Sequence, residues 1–211
     1  MLKQCFYCVF LLIFQNISSQ INTLEYTVYN YGAKGDGVTN NQEAIQKAIS
    51  ACSKTGGTVI LKNGTFSTDQ LKLVTNLVLK IDSSATILGI RFDEEKDYPH
   101  HLIETKHPNR MLQDCQRRLL YGNNLTNVTI TGGDTTSGQG DYEPCKHVKE
   151  LGTKKDRPSI LAFVGSKNII ISNIKLIKPA CWTQVYIASK NIIIKNIKVN
   201  TSNLTTNRDG I

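Results

Sequence analysis

Along most of the chain the apolar residues come in short alternating triplets, not at helical spacing. One stretch differs. Ala44, Ile45, Ala48, Ile49 and Cys52 recur at three- and four-residue intervals, which predicts a helix with a single apolar stripe over about 43–54. Asn40 followed by Glu43 predicts a capping box at its start, and Gly56-Gly57 predicts its end. Segments 58–62, 71–74, 77–81, 85–88, 128–131, 160–164, 169–171, 184–187 and 192–194 read as strands, short and β-branched, with Asn, Gly, Ser or Lys between them. From about 91 to 118 the pattern breaks. That stretch holds Asp93, Glu94, Glu95, Lys96 and Asp97, two prolines, and His100, His101 and His107, none of which has a partner at ligand spacing. It predicts a long excursion with a solvated, charged face.

The strand region contains a repeat. Ser166-Lys-Asn-Ile-Ile-Ile-Ser-Asn-Ile-Lys-Leu176 matches Ser189-Lys-Asn-Ile-Ile-Ile-Lys-Asn-Ile-Lys-Val199 at nine of eleven positions, with an offset of 23 residues. Related Asn-apolar-x-apolar runs begin at Asn127 and Asn76. A unit this short has no room for two packed helices, but it can hold three short strands and three turns as one coil of a solenoid. Stacked coils put Ile169 under Ile192, Ile174 under Ile197 and Asn168 under Asn191, giving a dry core of parallel strands and an amide ladder. A leucine-rich repeat has a similar period but needs Leu-x-x-Leu-x-Leu, which is not the spacing here. The expected fold is an all-β solenoid, a right-handed parallel β-helix, with the one α-helix capping its N-terminal end. Without a cap that end would expose core and strand edges.

Composition adds the compartment. Lys3 followed by an apolar run from Phe6 to Phe14 and then Ser18-Ser19 has the pattern of a secretory signal peptide over residues 1–19. The run is too short to span a bilayer, so no membrane association is expected after cleavage. Removing residues 1–19 changes the net charge from +8 to +7 and leaves 192 residues. Cys52, Cys115, Cys145 and Cys181 remain, an even number compatible with disulfides in three possible connectivities. Zinc held by Cys145 and His147 lacks a second ligand pair, so no metal and no cofactor are expected. Sequons at Asn63, Asn124, Asn127, Asn200 and Asn203 predict N-glycosylation and agree with export to the extracellular space. The basic balance calls for an anionic partner without naming it.

Two groups of motifs sharpen the reading. Tyr31-Gly-Ala-Lys-Gly-Asp-Gly37 has neither dinucleotide nor P-loop spacing and reads as a structural turn. Together with Val38-Thr-Asn-Asn-Gln-Glu-Ala-Ile45, Gly56-Gly57-Thr-Val-Ile-Leu61 and Gly64-Thr-Phe66 it resembles the N-terminal cap of pectin-degrading β-helix proteins. Arg157-Pro158, Asn168, Asn173, Trp182-Thr183 and Asn207-Arg208-Asp209-Gly210-Ile211 resemble the polygalacturonases, glycoside hydrolase family 28. The similarity runs from about residue 26 to 211.

The resemblance implies hydrolysis of α-1,4 bonds of polygalacturonate with inversion. One carboxylic acid protonates the leaving oxygen and other carboxylates activate a water on the opposite face. Asp209 matches the Asp that helps to orient and deprotonate that water, and Asn207 falls in the substrate-binding position of the same motif. Counting back by 23 residues puts Tyr186 and then Phe163 in the column of Asp209, and a carboxylate in an aromatic column suggests a surface site. The family's Asp-Asp pair, Gly-His-Gly histidine and Arg-x-Lys clamp are absent from the sequence, Arg208 stands where a small polar residue is usual, and Trp182 is read mainly as packing. The expectation is therefore residues 20–211 as the N-terminal part of a secreted, monomeric β-helix glycosidase, inactive as it stands, with an acidic polysaccharide as partner and no nucleic acid. A non-catalytic β-helix that binds acidic polysaccharide is the alternative. A calcium-dependent lyase would need clustered carboxylates, which the sequence does not offer.

Overall fold

The computed structural model describes residues 24–90, 117–133, 135–140 and 158–201. Within them the chain winds as a right-handed parallel β-helix of three sheets. Sheet A stacks β1 (Glu25–Thr27), β3 (Gly57–Leu61), β6 (Leu77–Ile81), β9 (Thr126–Thr131), β12 (Lys167–Ser172) and β15 (Lys190–Lys195). Sheet B stacks β2 (Asp36–Asn40), β4 (Gly64–Thr68), β7 (Ala85–Gly89), β10 (Thr135–Ser137), β13 (Lys175–Ile177) and β16 (Lys198–Asn200). Sheet C stacks β5 (Leu71–Lys72), β8 (Arg118–Asn123), β11 (Ser159–Val164) and β14 (Gln184–Ile187).

The 23-residue offset sets the register. Ile169 pairs with Ile192 and Ile171 with Ile194, while Val128 and Leu77 continue the Ile169 column downward. Leu77, Val128 and Ile169 are fully buried. Each such side chain contributes roughly 1.5–3 kcal/mol through removal from water. The turns into sheet A are held by asparagines. Asn76, Asn127, Asn168 and Asn191 all adopt left-handed backbone with φ of 54–58°. Asn tolerates that region better than other non-glycine residues. Their amides form a continuous ladder, with Asn127 donating to Asn76 (2.9 Å), Asn168 to Asn127 (2.9 Å) and Asn191 to Asn168 (3.0 Å). A second ladder begins at the turn into sheet B, where Asn196 donates to Asn173 at 3.3 Å.

Helix α1 (Gln42–Cys52) closes the N-terminal end and buries Ile45, Ala48, Ile49 and Cys52 against the first coil. The expected capping box does not form. The N-cap is Asn41, one residue later than the box requires, and its side chain is engaged elsewhere. Its amide donates to the carbonyls of Lys34 and Thr39, and its Oδ1 accepts from Lys34 N, so it ties the preceding loop to the helix start. Glu43 instead pairs with Lys47 at 2.6 Å, one turn along. The helix stops at Cys52, whose carbonyl accepts from Gly56 N; Gly56 (φ 69°) turns the chain into β3. The glycine-rich run does turn at Gly32 (φ 92°), while Gly37 (φ 77°) lies within β2, where the pairing with β4 shifts register. Gly35 packs against Gly64 so closely that a Cβ on Gly64 would lie 2.6 Å from the Gly35 Cα.

All nine strand segments expected from the sequence are present, two with the expected ends and the others with ends shifted by at most two residues. Strands β1, β2, β4, β8, β10, β13 and β16 were not legible from apolar alternation. The excursion after Ile90 returns at Arg117, and Arg118 is already the first residue of β8. His100, His101 and His107 lie outside the described residues, as does the signal segment 1–19.

Candidate functional site on sheet C

Counted by the 23-residue offset, the Asn207-x-Asp209 motif corresponds to the sheet C segment of the preceding coil. Asp209 and Asn207 themselves, with Arg208 and Arg157, lie outside the described residues. The strands of sheet C itself can be read directly. Leu71, Leu120, Leu161 and Gln184 form one in-register column, and Gly122, Phe163 and Tyr186 form the next on the same side. Phe163 is fully buried, and its ring stacks on that of Tyr186 at 6.0 Å and 3°. Gly122 makes room beneath, since a Cβ there would lie 3.0 Å from the Phe163 ring. The Tyr186 hydroxyl donates to Gln184 Oε1 at 2.7 Å, and burial pushes its phenol well above the usual range. This column therefore faces the coil interior. Phe163 and Tyr186 thus do not by themselves mark a surface site, and Asp209, which the 23-residue offset places in the same column, lies outside the described residues. A one-residue change of register moves a side chain to the opposite face.

The entrance to sheet C is polar. At the corner where sheet B turns into sheet C there is a cleft of about 300 Å³, lined among others by Asp69, Gln70, Ile90, Arg117, Gly138 and Pro158. Ile90 and Arg117, on either side of segment 91–116, and Pro158, directly after segment 141–157, thus lie together on this cleft. Gln70 is buried, and among the described residues neither its Oε1 nor its Nε2 has a hydrogen-bond partner. The Arg118 guanidinium, next in sequence to Arg117, is fully buried and donates from Nη1 to the Arg117 carbonyl at 2.8 Å. Burial lowers its pKa to about 10. An arginine, Arg117, and the Gln70 amide on the lining of one cleft suit a carboxylate or a hydroxyl-rich group. Sequence reasoning missed these residues. The available signal was a pair of arginines directly before the apolar Leu119-Leu120, where a solvated loop was expected.

Trp182 is half-buried, and its carbonyl accepts from Ile160 N at 3.3 Å at the mouth of the same strands. Cys181, beside it, is disulfide-bonded, whereas Cys52 is a free thiol buried under α1 and pushed up in pKa by that burial. Cys52 thus takes no part in the disulfides expected among the four cysteines. Cys145 and His147 lie outside the described residues, and among the described residues no three His, Cys, Asp or Glu side chains gather at metal-binding distance. Of the sequons, Asn63, Asn124, Asn127 and Asn200 are exposed, and Asn203 lies outside the described residues. The Asn127 amide is already held in the ladder.

Comparison with known proteins gives several relatives named as polygalacturonases, beside an alginate lyase of Azotobacter vinelandii that is 40% identical over 72 residues, covering 34% of this chain and 8% of that one. The family profile described as rhamnogalacturonase A/epimerase, pectate lyase-like, matches residues 26–89. An exo-poly-α-D-galacturonosidase of Dickeya chrysanthemi is 33% identical over 130 residues, covering 59% of this chain and 21% of that one. A polygalacturonase of Persea americana is 27% identical over 158 residues, covering 72% and 30%. The solved exopolygalacturonase of Thermotoga maritima superposes with a TM-score of 0.68 at 26% identity, covering 91% of this chain and 50% of its own. The resemblance to the polygalacturonases read from the cap and strand motifs is borne out. The chain spans between about a fifth and a half of the length of the galacturonosidase and the two polygalacturonase relatives.

Proposed function

We propose that this chain, as a pectin-type β-helix akin to the polygalacturonases, is the N-terminal part of a secreted glycoside hydrolase that cleaves α-1,4-galacturonosyl bonds with inversion. The observation that carries the reading is the coil itself, which follows that of an exopolygalacturonase over 91% of this chain and leads into Asn207-Arg208-Asp209-Gly210-Ile211. In this reading Asp209 orients and deprotonates the attacking water, and Asn207 contacts the substrate. The leaving oxygen is protonated by a separate carboxylic acid, across a gap of about 6.5–9.5 Å that admits the water. The relatives' greater length supports treating residues 20–211 as part of a larger catalytic unit.

Export rests on the apolar segment at 1–19 and the sequons, and the Cys181 disulfide fits an oxidising compartment. Glycosylation at Asn63, Asn124, Asn200 and Asn203 fits the same route, whereas Asn127 is the least suited of the five because its amide is bonded on both sides. The test is release of reducing ends from polygalacturonate. The 211-residue chain should release none. A chain extended with its own downstream coding sequence should be active and should lose activity with Asp209→Asn. Robust release by the 211-residue chain, or full activity of the extended Asp209→Asn variant, overturns the proposal.

A further inference from the structure

Among the described residues eight asparagines adopt left-handed backbone. Seven of them are followed by Leu, Val or Ile, whose bulky side chains shield the next amide nitrogen. Asn63 alone is followed by glycine. The fold imposes both halves of this pair. Asn63 turns the chain from β3 into β4 at φ 56°, a conformation that Asn tolerates. Gly64 is held to glycine, because a Cβ there would lie 2.6 Å from the Gly35 Cα. An Asn-Gly peptide is chemically labile, since an unhindered glycine nitrogen can attack the side-chain amide before it. Ser84 of the next coil lies against both residues, set there by the pairing of Gly64 with Ala85. Its hydroxyl donates to Asn63 Oδ1 at 2.9 Å and accepts from Asn63 N at 3.0 Å. Its carbonyl accepts from Gly64 N at 3.0 Å. The same hydroxyl is 2.9 Å from Asp82 Oδ1. Asn63 is exposed, so water reaches the amide.

We propose that Asn63–Gly64 is a deamidation site gated by Ser84. In the native coil the Gly64 nitrogen is committed to the Ser84 carbonyl and Asn63 Oδ1 to the Ser84 hydroxyl, which keeps the nitrogen and Cγ from a near-attack geometry. When this corner opens locally, the Gly64 nitrogen loses its proton and bonds to Asn63 Cγ. The Cγ–Nδ2 bond breaks, ammonia leaves with the proton, and a succinimide remains. Water then adds to either ring carbonyl and gives aspartate or isoaspartate. Aspartate sets a second carboxylate beside Asp82 with one hydroxyl proton between them, an arrangement that like charges disfavour. Isoaspartate inserts the β-carbon into the backbone where Gly64 packs on Gly35. Either product is irreversible and loosens the coil that carries the capping helix. A glycan on the same Nδ2 closes the route, because ammonia is then no longer the leaving group.

The experiment follows the Asn63 peptide of the unglycosylated 211-residue chain by mass spectrometry during incubation, native and in urea. Native wild type should lose the amide about tenfold or more slowly than the urea-unfolded chain, because attack waits for local opening. Ser84→Ala keeps the backbone carbonyl but removes the hydroxyl, and the native variant should react about fivefold faster than native wild type, the share of one hydrogen bond. Ser189→Ala removes a comparable hydroxyl, which accepts from Ser166 N at 3.1 Å before β15, away from this corner, and should react like wild type. That control separates a local gate from a general loss of stability. Asn63→Asp, which carries the product's charge, should unfold at a lower temperature than wild type. Equal rates in the native and unfolded wild type, no acceleration by Ser84→Ala, or equal acceleration in both serine variants overturns the gate. Retention of the Asn63 amide in urea overturns the site itself, and an Asn63→Asp chain as stable as wild type overturns the loosening by the aspartate product.

Discussion

Asn191 donates its side-chain amide to the Oδ1 of Asn168, 3.0 Å away on the coil below. Asn168 donates in turn to Asn127 and stands in left-handed backbone at φ 57°. Replacing Asn168 with Ala removes both amide bonds and forces a Cβ residue into a region that costs roughly 1–2 kcal/mol. The expected loss is about 2–3 kcal/mol, or a fall in Tm of about 4–10 °C for a chain of this size. Asn168→Gly should cost less, because glycine keeps the backbone free of strain. Thermal unfolding followed by circular dichroism decides it, and equal effects of Ala and Gly would remove the conformational share of the argument.

The repeat Ile-Ile-Ile of β15 and β12 has an inside and an outside. Ile169 is fully buried and Ile193 is 52% exposed. Ile169→Ala should destabilise by about 2–5 kcal/mol, while Ile193→Ala should stay within about 0.5 kcal/mol. Urea denaturation of the two variants side by side tests which face of sheet A packs.

Asp36 accepts from the Thr39 hydroxyl at 2.6 Å and from the backbone N–H groups of Thr39 and Val38, which lowers its pKa from 3.8 to about 2. The hydrogen bonds favour the ionised folded form. Its contribution to stability is thus complete above pH 3.8 and lost as the pH falls through about 2. In a carboxylate NMR titration Asp36 should titrate near pH 2, and Thr39→Val should move it upward. An unchanged pKa in that variant would show that the hydroxyl is not the main cause.

The two described cysteines should behave oppositely toward a thiol reagent. Cys52 is free but buried under α1, and its pKa is raised, so it should react only after unfolding. Cys181 should react only after reduction, because it is disulfide-bonded. Mass-spectrometric mapping of labelled peptides in native, denatured and reduced samples separates the cases, and rapid native labelling of Cys52 would contradict the packing of the helix.

The coil was legible in the sequence because stacking writes itself as repetition. Lys167 and Lys190, Ile169 and Ile192, and Asn168 and Asn191 are the same letters 23 residues apart, and each pair meets in space. The unread strands are short and polar. Thr135–Ser137 has no apolar residue, and its extended state comes from pairing with β7 below and β13 above. The helix start was misplaced by one residue because Asn40 and Asn41 are equivalent by local rules. Only the docked loop at Lys34 and the Ser67 carbonyl, 26 residues on, select Asn41. The step from Phe163 to Tyr186 follows the 23-residue count, but counting gives the column and not its face. Phe163 faces inward because Gly122 leaves space for its ring, and that is a property of packing.

The asparagine ladder also has a direction. In every bond the later residue gives the proton and the earlier one receives it, from Asn127 to Asn76, Asn168 to Asn127 and Asn191 to Asn168. The amide dipoles therefore align along the axis, and each completed coil offers an acceptor to the one that follows. Winding is vectorial: a coil laid down on the helix-capped base is a template for the next, so the chain can be secured one turn at a time in the order in which it is synthesised.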